Sequence, residues 1–379
     1  MKTILNVGVI GCGNISDSYF SLAPQFCGFK IVACADLNVE LAAMKAQKYG
    51  IESYSVEALL ASEGIDIIVN LTIPAAHYEV SMKVLEAGKH VYSEKPLVLS
   101  LEEGQKMKAL SLEKGLKVGS APDTFMGGSH QFARHLLDQG EIGDVYSGTC
   151  HVMSAGMESW HPNPDFFFKE GGGPILDLGP YYIANLIQLL GPVDSVIAKT
   201  VIPRKQRKIT SQPRAGEMIE VETPTTIHAI LTFKNGAIIT LGASWDVQAH
   251  QHANMELYGS KGSLYLPDPN HFGGKVSLIQ EGREVPLDMW KHPFGVPNQI
   301  HGEFAKANYR TAGLAEMVMA IHMERDHMCS LDRALHGVEV MTAILASGES
   351  GQSIKMTTHC DRPRALDPEA AKALLAACF

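Results

Sequence analysis

Leu5-Asn6-Val7-Gly8-Val9-Ile10 runs without interruption into Gly11-Cys12-Gly13-Asn14-Ile15-Ser16, and a second apolar run, Ile31 to Ala35, ends at Asp36. That order predicts a strand, a glycine turn, a helix and a second strand closed by a carboxylate, which is a dinucleotide-binding unit. Gly11 permits the tight turn, Gly13 lets backbone N–H groups approach a pyrophosphate, and the following helix points its positive end at the phosphates. Asp36 would accept hydrogen bonds from a ribose. Ser16 stands where the third glycine of the pattern is expected. The carboxylate of Asp36, followed by Leu37 and Asn38 rather than by Arg or Ser, repels a 2′-phosphate, so NAD is expected over NADP.

A chain of 379 residues exceeds what one hydrophobic core serves, so two domains are expected. A net charge of −9 argues against nucleic acid or an anionic membrane as partner and leaves small molecules. The 7 cysteines, from Cys12 to Cys378, show no CxxC pair, a pattern of reduced thiols that places the protein in the cytoplasm. Lys2 and the apolar run behind it read as the start of a first strand rather than a signal peptide, because no small-residue cleavage site intervenes. No window is apolar enough to expect a membrane span.

Strand-like runs recur at 5–10, 30–35, 65–71, 90–93 and 116–120, with helical patterns between them, so the N-terminal part is expected to form a doubly wound parallel sheet. Pro74 opens one helix, and Ser100 with Glu103 makes a capping box for another. After Pro122 strands follow one another through tight turns. Lys234-Asn235-Gly236 joins 225–233 to 237–245 as a hairpin, and 255–258 with 263–266 and 276–280 with 284–287 read as further hairpin arms. The fold class is therefore α/β: a Rossmann-type domain over 1–122, then an α+β domain with an open, largely antiparallel sheet over 123–379. Helices are expected from Pro174 or Pro180 to Leu190, at 314–323 and at 331–346, and 368–378 reads as a short alanine-rich helix or a frayed tail.

Two constellations carry chemistry. Ser93-Glu94-Lys95-Pro96 closes a parallel strand, and ligands bind beyond the carboxyl ends of such strands, so Lys95 points where a nicotinamide and a substrate meet. Taken alone, Lys-Pro reads as a surface lysine before a turn. The second is Gly171-Gly172-Gly173 followed by Asp177-Leu178-Gly179-Pro180-Tyr181. If helical from Pro174, Asp177 and Tyr181 lie four residues apart on one face. Pro180 opposes this, since it cannot donate to Leu176: either the helix begins at Pro180, with Asp177 as its cap, or it bends there.

Gly11-Cys12-Gly13-Asn14-Ile15, Thr72-Ile73-Pro74 with His77, Glu94-Lys95-Pro96, and the glycine run with Asp177 to Tyr181 together resemble the glucose-fructose oxidoreductase and inositol dehydrogenase (Gfo/Idh/MocA) family over nearly the whole chain. The resemblance implies NAD(P)-dependent oxidation or reduction of sugars and polyols, and a C-terminal open sheet that commonly makes dimers or tetramers. It puts Gly11, Cys12, Gly13, Asn14, Ile15, Asp36, Thr72, Pro74, His77, Glu94 and Lys95 around the cofactor, and Lys95 and Asp177 on the family's catalytic positions. Where many members have histidine four residues after the aspartate, this chain has Tyr181, as some sugar and dihydrodiol dehydrogenases do.

Oxidising a carbinol sends a hydride to nicotinamide and a proton to a base. A phenol ionising near about pH 10 is a poor base, but an adjacent ammonium favours its phenolate. Tyr181 is therefore expected to accept the proton, Lys95 to activate it and hold the substrate oxygen, and Asp177 to orient hydroxyls. The rival assignment gives the proton transfer to Lys95 itself.

Trp160 and His161, in the proline-rich loop opened by Glu158, are expected to border the substrate, as are Asp123, Thr124 and Arg310. The plain readings are a stiffened surface loop and, for Arg310, a carboxylate partner. His250 with His252, and His322 with His327, lack zinc-ligand spacing, so no metal is expected. The leading expectation is a dehydrogenase of a sugar, cyclitol or related polyol. A lyase or glycoside-cleaving enzyme that oxidises its sugar transiently, and a non-catalytic NAD and sugar sensor, are the alternatives. Net NADH formation separates the first from the second.

Overall fold

The computed structural model describes residues 4–288, 290–301 and 304–376, so Lys2 and Cys378 lie outside the described residues. Its contacts divide the chain into two compact units. The first holds the chain up to Gly127, Lys291–Val338 and the chain from Leu366 on; the second holds Gly128–Trp290 and Glu339–Ala365.

The chain begins with β1 (Leu5–Ile10), α1 (Ser16–Leu22), β2 (Phe29–Ala35), α2 (Val39–Tyr49), β3 (Glu52–Tyr54), α3 (Val56–Ala61), β4 (Ile67–Asn70), α4 (His77–Glu86), β5 (His90–Ser93), α5 (Leu101–Glu113) and β6 (Val118–Ser120). The six strands make one parallel sheet in the order β3-β2-β1-β4-β5-β6, with the order reversing between β1 and β4. Nearly every residue of β1, β4 and β5 is buried, as a sheet covered on both faces requires. Local signals set the helix ends. The Asn38 side chain accepts from the N–H groups of Glu40 and Leu41 to start α2, Gly50 ends it at φ 65°, and Ser100 and Glu103 close both halves of a capping box on α5. Pro74 opens a 3₁₀ turn, Pro74–Ala76, and α4 follows at His77.

The second unit continues with α6 (Gly128–Asp138), β7 (Val145–Met153), α7 (Asp165–Phe168), α8 (Pro174–Asp177), α9 (Gly179–Leu190), β8 (Val193–Val201), β9 (Gln206–Lys208), β10 (Met218–Glu220), β11 (Thr226–Phe233), β12 (Ile238–Ser244), β13 (Met255–Gly259), β14 (Ser263–Leu266), β15 (Ser277–Gln280) and β16 (Arg283–Val285). After β17 (Gln299–His301), β18 (Phe304–Lys306) and α10 (Ala312–His322) come α11 (Leu331–Ser350), β19 (Ile354–Lys355) and α12 (Pro368–Lys372). The large sheet runs β16-β15-β14-β13-β7-β12-β11-β8-β19 and is antiparallel except where β12 pairs with β7. The Asn-Gly hairpin forms as expected: the Asn235 side chain accepts from the Ala237 N–H at 3.0 Å, and Gly236 takes φ 92°. β11 buries alternate residues, β12 does so only as far as Leu241 and is buried from there to Ser244, and α9 is buried along its whole length.

Two features depart from the linear reading. The contacts return two C-terminal segments to the first unit instead of dividing the chain once at 122/123. Gly119 bridges to Ser330, Phe26 bridges to Leu375, and the Cys27 N–H donates to Leu374 O at 3.0 Å, all long-range partners with no local signal. The helix from Pro174 neither begins at Pro180 nor runs through it. It breaks at Leu178 into α8 and α9, with Pro180 in the first turn of α9 where its missing N–H costs nothing.

Candidate active site

In the first unit the glycine turn is dictated by close packing. Gly11 sits at φ 101°, and a Cβ there would lie 2.6 Å from the Leu71 carbonyl group, so no side chain fits. A Cβ on Gly13 would meet nothing within 4 Å, and Gly13 and Asn14 are exposed, which leaves an open cradle of backbone at the head of α1. Ser16 replaces the third glycine by turning its hydroxyl onto Gly13 O at 2.6 Å. Asp36 is fixed beside the turn: Oδ2 accepts from the Cys12 N–H at 2.7 Å and Oδ1 from the Asn38 N–H at 2.8 Å. A carboxylate has lone pairs beyond these two for ribose hydroxyls. The Cys12 thiol, hydrogen bonded with Cys34 and buried, has its pKa raised and stays neutral beneath the turn.

The lysine loop follows β5. Glu94 Oε1 accepts from the Tyr19 hydroxyl at 3.0 Å and Oε2 from the Lys95 N–H at 2.9 Å, so the carboxylate ties α1 to the backbone of Lys95. The Lys95–Pro96 peptide is cis. Pro96 O lies 2.6 Å from His77 Nδ1, and Thr72 O lies 2.9 Å from His77 Nε2. Burial lowers the pKa of His77, against the pull of those two carbonyls. His77 therefore braces the Thr72 turn against the lysine loop. Asn70 holds the same turn, accepting at Oδ1 from the Thr72 N–H at 3.2 Å and hydroxyl at 2.7 Å. Burial, then Glu94, pushes the Tyr19 phenol well above its ordinary pKa, so it donates to Glu94 as a neutral group.

Asp123, only 3% exposed, lies in the same unit, and its Oδ2 accepts from the N–H groups of Thr311 and Gly313, each at 3.0 Å. It thus caps α10 from a distant segment. Burial lifts its pKa to about 6, opposed by the Gly313 N–H and by Arg310. Thr311 takes φ 92°, an outlying conformation for a β-branched residue. Arg310 Nη1 donates to Asn308 Oδ1 at 3.3 Å, and the electrostatic pull of its guanidinium reaches both Asp123 and Tyr19. Thr124 is 1% exposed, with no partner for its Oγ1 among the described residues.

In the second unit the glycine run is again forced. A Cβ on Gly172 would lie 2.5 Å from Phe167 O, and Gly173 takes φ 89° while its N–H donates to Phe167 O at 2.7 Å. The turn launches α8, where the Asp177 N–H donates to Gly173 O at 3.1 Å, and after the break the Tyr181 N–H donates to Leu178 O at 3.1 Å. Asp177 is half-buried and Tyr181 is 9% exposed. Trp160 is 62% exposed, edge-on to the half-buried His161, whose ring also stands edge-on to Phe166 and Phe167.

Lys95, Asp36, Glu94, Asp123 and Arg310 thus belong to the first unit, and Trp160, His161, Asp177 and Tyr181 to the second. Tyr19, Arg207 and Asp246 escaped sequence reasoning. Arg207 lies on the short strand β9, and only the fold shows it between Glu158 and Asp246. Among the described residues no group of three His, Cys, Asp or Glu side chains is placed to hold a metal ion, and no helix is long and apolar enough to cross a membrane.

Known proteins resemble the chain in both units. Residues 5–121 match the model for an oxidoreductase family with an NAD-binding Rossmann fold, and residues 130–265 match the GFO/IDH/MocA C-terminal domain. D-glucoside 3-dehydrogenase of Escherichia coli is 26% identical over 304 residues, covering 75% of this chain and 84% of its own. Levoglucosan dehydrogenase of Pseudarthrobacter phenanthrenivorans is 25% identical over 289 residues, covering 69% and 73%. The crystal structure of an NAD-binding oxidoreductase from Klebsiella pneumoniae superposes with a TM-score of 0.80 at 21% identity, covering 94% of this chain and 100% of that one.

Proposed function

The chain belongs to the Gfo/Idh/MocA family of NAD-binding sugar oxidoreductases, and on that premise we propose that it is an NAD-dependent dehydrogenase that oxidises a carbinol carbon of a sugar, cyclitol or related polyol. The observation that carries the reading is the pairing, at the carboxyl edge of one parallel sheet, of the open Gly11–Ser16 cradle closed by Asp36 with a lysine whose backbone is clamped by Glu94. Ligands of such sheets bind at that edge, beside the switch in strand order.

The residues present fit NAD. The Gly11–Ile15 backbone would receive the pyrophosphate, Asp36 the adenosine ribose, and the Thr72–His77 turn the cofactor's flank. Asp36 stands where a 2′-phosphate would bring like charge, which supports NAD over NADP. Bound NAD supplies the acceptor for a hydride. Lys95 Nζ holds the reacting hydroxyl oxygen and stabilises negative charge as it develops there. Tyr181 accepts the hydroxyl proton, and Asp177 accepts hydrogen bonds from neighbouring hydroxyls. Trp160 offers an exposed flat face to a sugar ring, with His161 beside it, and Arg310 takes an acidic substituent where the sugar carries one. The enzyme works in the cytoplasm, as a homo-oligomer built on the open face of the large sheet. There Ile197 and Ile230 pair directly across β8 and β11 and stand 42% and 45% exposed, and Ile238 on β12 is 47% exposed.

A panel of sugars, cyclitols and sugar acids with NAD and with NADP, followed by absorbance of the reduced cofactor, tests this. NADH formation with at least one polyol and a preference for NAD are expected. Preference for NADP overturns the role of Asp36, and consumption of a sugar with no net NADH overturns the dehydrogenase in favour of an elimination.

A further inference from the structure

The second unit contains a buried ionic lock that neither the glycine motif nor the lysine motif accounts for. The Arg207 side chain is 0% exposed. Its Nη1 donates to Glu158 Oε1 at 2.6 Å and to Ala155 O at 3.2 Å, and its Nη2 donates to Trp245 O at 2.8 Å and to Asp246 Oδ1. The guanidinium carbon also lies 5.0 Å from the centre of the Phe168 ring. Asp246 is held in turn, its Oδ2 accepting from the hydroxyls of Thr225 at 2.7 Å and Thr226 at 2.8 Å. A desolvated guanidinium between two carboxylates is retained only where its fork satisfies both.

From Arg207, Glu158 and Phe168 lead to the proposed substrate side. Glu158 lies two residues before Trp160, and its backbone oxygen accepts from the N–H groups of Thr210 at 2.9 Å and Ser211 at 3.2 Å. The Ser211 hydroxyl then donates to His161 O at 2.5 Å. Phe168 packs edge-on against Trp245 at 5.5 Å, in a buried cluster with Met157, Phe167 and Ile209. Phe167 O receives the Gly173 N–H that shapes the turn into α8, the helix of Asp177. Space around the lock is tight as well, since a Cβ on Gly156 would lie 2.3 Å from Glu158 Oε2 and 2.5 Å from Arg207 Nη1.

We propose that Arg207 is a positioning residue: held between Glu158 and Asp246, it docks the 154–168 loop and thereby fixes Trp160 and His161 for sugar binding. The proposal rests on the dehydrogenase reading above. The charged groups that face the guanidinium are Glu158 from the loop and Asp246 after β12, with Arg204, 3.5 Å from Asp246, on the exposed flank. Removing the guanidinium leaves two carboxylates confronting each other, which the loop relieves by undocking.

Arg207→Met and Arg207→Lys are compared with the unaltered protein by hydrogen exchange of 154–168 without ligands, by NAD affinity from calorimetry, and by KM and kcat for the best polyol. For Arg207→Met the loop loses protection, KM for the polyol rises at least tenfold, and NAD affinity changes less than twofold. Acid conditions that protonate the two carboxylates partly restore loop protection in that variant, a response absent from a merely loosened fold. Arg207→Lys recovers part of the loss. If Arg207→Met does not fold, Asp246→Asn, which keeps a neutral acceptor, must still raise KM severalfold. An unchanged KM in a folded variant, or full loop protection in Arg207→Met, overturns the positioning role while leaving the dehydrogenase intact. Absence of any NADH formation by the unaltered protein instead removes the reading beneath it.

Discussion

The carboxylates that flank the proposed cofactor site and the Trp160 loop are held by different chemistry. In the first unit Asp36 and Glu94 accept from backbone N–H groups and one phenol, so their positions depend on the chain path around them. In the second, Glu158 and Asp246 share a single buried guanidinium. A cofactor site built from backbone donors suits an invariant ligand, whose pyrophosphate and ribose never change. A loop pinned by one side chain can be re-aimed by altering few residues, which, on the proposal that it borders the sugar, would suit a family whose sugars differ. The comparison predicts that the first unit's ligand contacts tolerate side-chain changes elsewhere, and that the second unit's do not.

The sharpest break of that contrast is Lys95→Met. The ammonium is asked to stabilise developing charge, so kcat/KM for the best polyol should fall about a thousandfold, while exchange protection at the Glu94 clamp survives because the clamp uses the Lys95 N–H. A loss below tenfold would remove Lys95 from the chemistry. Next is Tyr181→Phe, for which general-base loss predicts a fall of about a hundredfold in kcat with little change in KM. An unchanged kcat would reassign proton transfer to Lys95. Smaller again is Asp36→Ala: one charge-assisted hydrogen bond lost to the ribose predicts NAD binding weaker by about ten- to a hundredfold by calorimetry, with NADP weakened less. Equal weakening of both would mean that Asp36 shapes the turn through Cys12 rather than reading the ribose.

The same contrast explains what was legible in the sequence. Asp36, the Ser100 and Glu103 capping box and the Asn235-Gly236 hairpin announce themselves because their partners lie within one turn or one strand crossing, and the structure forms each of them. The break at Leu178 was half legible: Pro180 forbids a continuous helix, but which residue yields depends on the buried packing of α9. Arg207 was not legible at all. Its carboxylates lie 49 and 39 residues away, and an arginine on a three-residue strand reads as a solvated edge charge until Glu158 and Asp246 are brought to it. Asp123 was noticed as a residue beyond a strand end, yet its partners, Thr311 and Gly313, lie 188 and 190 residues on, so capping of α10 could not be foreseen.

Asp123 also gives the finest test, because it is a buried carboxylate of the first unit whose hydrogen bonds come from backbone. Its pKa rises on folding from 3.8 to about 6, mainly through burial. The folded state therefore keeps the proton to higher pH than the unfolded chain does. The stability this confers is complete below pH 4 and is lost as pH rises to about 6, beyond which the ionised group is a constant burden. A shift of that size corresponds to about 3 kcal/mol. Asparagine retains an oxygen for the Thr311 and Gly313 N–H groups but does not titrate. The difference in unfolding free energy between Asp123→Asn and the unaltered protein, from urea midpoints, should thus move in the variant's favour between pH 4.5 and 7.5, by up to that amount. A difference independent of pH would show that the carboxylate ionises as freely in the fold as in water. Backbone donors and Arg310 would then offset its burial in full, and this carboxylate of the first unit would carry its charge at no cost to stability.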